Sequence, residues 1–74
     1  MMQPMTAKEL EYIADSMSNE DLLIKQCTAL AATATTPALK NLARQFVQTH
    51  QQHYDSLMHA LQHHQQMAPT QPQQ

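Results

Sequence analysis

The chain has 74 residues with no glycine, no tryptophan, one phenylalanine and two tyrosines, which excludes phosphate-cradling loops, dinucleotide-binding turns and tight hairpins, all of which need glycine at positive φ. Four Lys/Arg against six Asp/Glu give a net charge of −2 with the basic residues scattered, so no nucleic-acid face is expected. No apolar run approaches the ~20 residues of a membrane span.

Ala (10), Gln (12), Leu (8) and Met (6) dominate, and most of these favour helix. The fold class read from composition is all-α, in one domain. A chain this short buries little apolar surface alone, so a staple or a partner is expected. Cys27 is the only cysteine, so there is neither an internal disulfide nor zinc-ribbon spacing. The start Met1-Met2-Gln3-Pro4-Met5 has no basic segment and no long apolar one, and reads as no secretory signal. Both features predict a cytoplasmic location.

Residues 1–5 read as a disordered lead. Thr6-Ala7-Lys8-Glu9 fits a capping box, which starts a first helix at Ala7. Apolar residues then recur at helical spacing through Leu10, Ile13, Met17, Ile24, Cys27 and Ala31, predicting a helix over 7–34. Ser18 and Asp21 make a second capping-like pair, where the helix has the alternative of breaking; the periodicity runs through in phase and favours continuity. Thr36 as N-cap and Pro37 in the first turn open a second helix, predicted over 37–66. Residues 67–74, rich in proline and glutamine, read as a disordered tail.

Two helices of ~28–30 residues joined by so short a turn must lie antiparallel, each ~42–45 Å long. One hairpin has no closed core, whereas two hairpins paired as a homodimer make a four-helix bundle that buries both apolar faces. The first seam reads Leu10, Ile13, Met17, Glu20, Ile24, Cys27 and Ala31. The second reads Leu39, Ala43, Phe46, His50, His53, Leu57 and Ala60, with Leu42, Val47, Tyr54 and Leu61 flanking. Folding the chain at residues 35–36 sets Leu10 against Leu61, Ile13 against Met58, Met17 against Tyr54 and Ile24 against Val47. In that register Glu20 falls between His50 and His53.

An unpaired carboxylate in a bundle core costs several kcal/mol unless it is protonated, paired or metal-bound. Two chemistries therefore stay open for Glu20, His50 and His53. One is a hydrogen-bonded polar layer without metal, which fixes register and partner choice. The other is a metal site, because His at i and i+3 with a carboxylate suits Fe, Mn or Zn. A rotated second helix would instead leave these residues half exposed. In ferritin-like carboxylate bundles a Glu on one helix faces a Glu-x-x-His pair on the next; here His50 stands in place of the second Glu, which removes a bridging carboxylate. Elsewhere, His59, His63 and His64 read as a solvated face and Cys27 as a small buried hydrophobe. Tyr12 and Tyr54 read as bundle-edge packing, with the Tyr54 hydroxyl within reach of the Glu20 layer. Lys25 and Arg44 read as surface charges. Nothing supplies an oxyanion hole or a cleft for a Ser/His/Asp site, so no enzyme is expected. A degenerate di-metal oxidase-like site is the one catalytic reading left.

The stretch Leu10–Leu61 resembles the small ferritin-like proteins related to spore coat protein F of spore-forming Firmicutes. Four features carry the likeness: Lys8-Glu9-Leu10 after a Thr cap, Ser18-Asn19-Glu20 in mid-helix, Thr36-Pro37-Ala38-Leu39-Lys40, and Thr49-His50-Gln51-Gln52-His53-Tyr54 before Leu57-Met58. It implies a ferritin-like helical bundle, a role in or derived from the spore coat, and spore coat proteins as partners. Those relatives tend to carry carboxylates where His50 stands, so Glu20 and His53 match best. Two main functions follow as expectations: a non-enzymatic structural or spore-coat-related component, or a metal-binding protein using Glu20, His50 and His53. A helical adaptor presenting its outer face to a partner is a third.

Overall fold

The computed structural model describes residues 5–67. Two helices account for nearly all of it: α1 spans Ala7–Thr33 and α2 spans Pro37–Met67, packed against each other as a hairpin. Residues 1–4 of the expected lead and 68–74 of the expected tail lie outside the described residues.

The start of α1 is fixed by side chains that stand in for missing helical partners. The Glu9 amide donates to Thr6 Oγ1 at 3.1 Å, and the Thr6 amide donates to Glu9 Oε1 at 2.8 Å. This is the capping box expected from the sequence. α1 then runs unbroken through Ser18–Asp21, and Asp21 pairs with Lys25 one turn on at 2.8 Å. The helix stops at Thr33, one residue short of the expectation, because Ala34 turns extended (φ −62°, ψ 142°) while its amide still donates to Leu30 O. In α2 the Thr36 Oγ1 accepts from the Leu39 amide, as an N-cap does, at a long 3.4 Å. α2 ends at Met67, one residue beyond the expectation.

The end of α1 carries a feature the sequence reading lacked. Its last turn holds no basic residue. Lys40, from the first turn of α2, fills that role: its Nζ donates to Ala31 O at 2.9 Å and Ala32 O at 3.5 Å. A cation thus sits at the negative end of the α1 dipole and ties the two helices together beside the turn.

Packing follows the expected seam on α1. Leu10, Ile13, Met17, Glu20, Ile24, Cys27 and Ala31 are all half-buried, Cys27 being less enclosed than a core hydrophobe. On α2 the expectation needs correction. Ala43, 1% exposed, is the one fully buried apolar side chain among the described residues. Val47, His50, Tyr54, Leu57 and Leu61 continue its stripe, while Leu39, Phe46 and His53, expected in the seam, are exposed. The physical reason is the width of the apolar band on α2. It is broader than one neighbouring helix covers, and α1 takes the edge that runs through Ala43 and Val47. Leu39, Leu42 and Phe46, spaced 3 and 4 apart, form the uncovered edge. Leu23 and Leu30, seven apart, form a matching uncovered stripe on α1, and these five side chains are 36–45% exposed.

Candidate functional site

Glu20 lies in the half-buried seam of α1, where a lone carboxylate is costly. The short 34–36 connection fixes the register, so the middle of α2 arrives at its level. His50 Nδ1–H donates to Glu20 Oε1 at 2.6 Å, and His53 Nδ1–H donates to Oε2 at 3.2 Å. Each carboxylate oxygen thus has its own imidazole, and the three sequence-predicted residues meet at one level. Their i, i+3 spacing on α2 sets the two rings edge to face, with centroids 5.6 Å apart.

The cluster is closed on one side and open on the other. Side-chain exposure is 18% for Glu20, 21% for His50 and 54% for His53. The Phe46 ring, tilted at 60° and centred 6.3 Å from the His50 ring, helps to screen His50. With an ionised carboxylate as acceptor, both imidazoles carry their proton on Nδ1. One donor atom from each of the three residues falls within 4.8 Å of the others. An ion held there would replace the two hydrogen bonds, each ring turning an unprotonated nitrogen to it, and the mixed imidazole and carboxylate set suits a borderline first-row divalent metal.

The remaining expectations divide. Both Glu20 oxygens are taken by imidazoles, and Tyr54 turns instead to an apolar groove of about 530 Å3 that also holds Leu10, Ile13, Met17 and Leu61. Its lining brings together Leu10 with Leu61 and Met17 with Tyr54, in keeping with the register read from the sequence. His59 and His63 are exposed, as a solvated face requires. His64 departs from that reading: it is half-buried, and its Nδ1 accepts from the Met5 amide at 2.9 Å. A backbone N–H only donates, so His64 Nδ1 is unprotonated, and the ring pins the entry to α1 against the end of α2. Lys25 is fully exposed, and the Asp21 carboxylate bonded to it holds its ammonium above the usual lysine value. No helix among the described residues is long and apolar enough to cross a membrane. Compared with protein-family models, curated proteins and solved structures, the chain matches none.

Proposed function

We propose that this chain is a non-enzymatic helical-bundle protein that works by packing: a structural component, related to the spore coat proteins it resembles, whose hairpins pair into ferritin-like four-helix bundles. The observation that carries this reading is the uncovered apolar face. Leu23, Leu30, Leu39, Leu42 and Phe46 stand half out of solvent beside a seam in which Ala43 alone is fully buried among the described residues. Completing their burial yields roughly 1 kcal/mol apiece, or about 10 kcal/mol for a two-fold pair. That lies within the ~4–15 kcal/mol that association costs, so polar and shape matching decide the final affinity. Sedimentation velocity on the full chain tests it: a concentration-dependent dimer or larger assembly is expected. A monomer that keeps its helicity at all concentrations refutes it.

The convergence of Glu20, His50 and His53 favours a second reading, in which the bundle binds Fe, Mn or Zn through these residues. Elemental analysis of untagged protein is the test. Metal in stoichiometric amount, lost in His53→Ala, supports the reading; a metal-free preparation that does not take up added ion refutes it.

A further inference from the structure

The cluster and the uncovered face are one feature, because His53 belongs to both. On α2 the exposed stripe Leu39, Leu42, Phe46 continues, four and then three residues on, into His50 and His53. The open side of the cluster therefore gives onto the apolar face. Position along the helices adds a second constraint. Glu20 has thirteen helical residues on either side in Ala7–Thr33, and His53 lies one residue past the centre of Pro37–Met67. The centre is the one level of a rod that meets itself whichever way a full-length two-fold pair is oriented. Charge is consistent with a self-contact. Asp21, Lys25, Lys40, Arg44 and Asp55 all step onto other sides of their helices, so this flank between residues 21 and 55 offers an opposite charge nothing to grip and does not repel its own copy.

We propose that a second copy of this chain docks on the face formed by Leu23, Leu30, Leu39, Leu42, Phe46 and His53, and that it closes the Glu20–His50–His53 site. Three donors from one chain leave a first-row divalent ion short of tetrahedral coordination. One ion serves each pair, and the partner's His53, brought to the same level by the two-fold pairing, is its fourth donor. Metal and dimer then strengthen each other by the same factor, as linkage requires. This inference rests on the metal-binding reading and adds its regulation: self-association sets the affinity for the ion.

The probe is Zn2+ alone, added to the full chain with a chelator-treated control, with the dimer constant read by sedimentation and Zn2+ affinity by calorimetry. The expected result is a dimer at least ~10-fold tighter with Zn2+, a change of ~1.4 kcal/mol. The gain disappears in His53→Ala and persists in the double variant His59→Ala, His63→Ala, which removes the exposed histidine pair. Leu42→Glu, which charges the face without touching the cluster, yields a helical monomer that binds Zn2+ at least ~10-fold more weakly. Zn2+ that binds wild type without moving the dimer constant overturns the coupling and leaves the metal reading standing. Absence of Zn2+ binding overturns both. A gain that is lost with His59 and His63 assigns it to surface histidines and overturns the proposal. Should Leu42→Glu fail to fold, the wild-type titration and His53→Ala decide.

Discussion

Replacing Lys40 by methionine tests whether a side chain of α2 caps α1. Methionine keeps an unbranched stem of similar length and removes only the ammonium. What is lost is the 2.9 Å bond from Nζ to the partly buried Ala31 carbonyl; the 3.5 Å contact to Ala32 is at the limit of a hydrogen bond and adds little. A hydrogen bond to a charged group contributes about 1.5–3 kcal/mol. A cation at a helix C-terminus adds about 0.3–1 kcal/mol. Ordering the lysine side chain costs about 1.5–2 kcal/mol and is recovered in the variant. The net loss is about 1–2 kcal/mol, which for a domain this small lowers the melting temperature by roughly 5–12 °C. The assay is thermal unfolding followed by helical circular dichroism, at one fixed protein concentration because any self-association shifts the midpoint. High salt should narrow the gap by screening the charge–dipole part without closing it. A Lys40→Met protein that melts with wild type refutes the capping argument.

Three further outcomes follow from the same geometry. Ala43→Leu forces a larger side chain into the tightest point of the seam and should cost about 1–3 kcal/mol, read as a lower urea midpoint at unchanged slope. Glu20→Ala strands the half-buried His50 Nδ1–H, while the exposed His53 turns to water, and should cost about 1–3 kcal/mol, whereas replacing Glu20, His50 and His53 together by leucine should recover that stability in chemical denaturation. For the Lys25–Asp21 pair, the raised folded-state value means its small contribution is fully present below the ordinary lysine value of about 10.4 and fades as pH rises through the folded value. Lys25→Met should therefore change the melting temperature marginally at neutral pH and remove that part of the alkaline loss.

Much of this arrangement is legible in the sequence, and what is not has identifiable causes. α1 reads correctly because the residues spaced three and four apart from Leu10 to Ala31 are the edge that α2 covers, with Leu23 and Leu30 outside it; the capping box at Thr6 and Glu9 marks its start without ambiguity. The meeting of Glu20 with His50 and His53 is legible because a connection of residues 34–36 leaves almost no freedom of register. α2 is harder, since periodicity identifies a wide apolar band but not which edge a single neighbour will cover. The sequence therefore placed Leu39, Phe46 and His53 inward when they face out. The Lys40 clamp and the bond from Met5 to His64 leave no motif, because in each the partner is a backbone group of the other helix or its approach. The lack of glycine was the available hint for the first, since a helix without the usual left-handed C-cap needs another donor for its last carbonyls.

The polar level at the centre of the hairpin has a consequence for folding that does not depend on metal. The seam around it is built from Leu, Ile, Met, Val and Ala, which tolerate a slip of one turn with little loss. Sliding α2 by four residues past α1 would bring Phe46 and Thr49 in one direction, or Tyr54 and Leu57 in the other, to the places of His50 and His53, so that a half-buried carboxylate would trade two imidazole donors for one hydroxyl. Alongside the short 34–36 connection, the polar level thus does more than the apolar contacts to separate the native register from its neighbours. A register lock and a metal site require the same three residues, yet they tolerate different substitutions. Glu20→Gln paired with neutral imidazoles still accepts a hydrogen bond through its amide oxygen and keeps much of the lock, while losing the anionic ligand. A variant that holds its melting temperature but no longer takes up Zn2+ therefore separates the two roles, and one that loses both together assigns the stability to the carboxylate's charge.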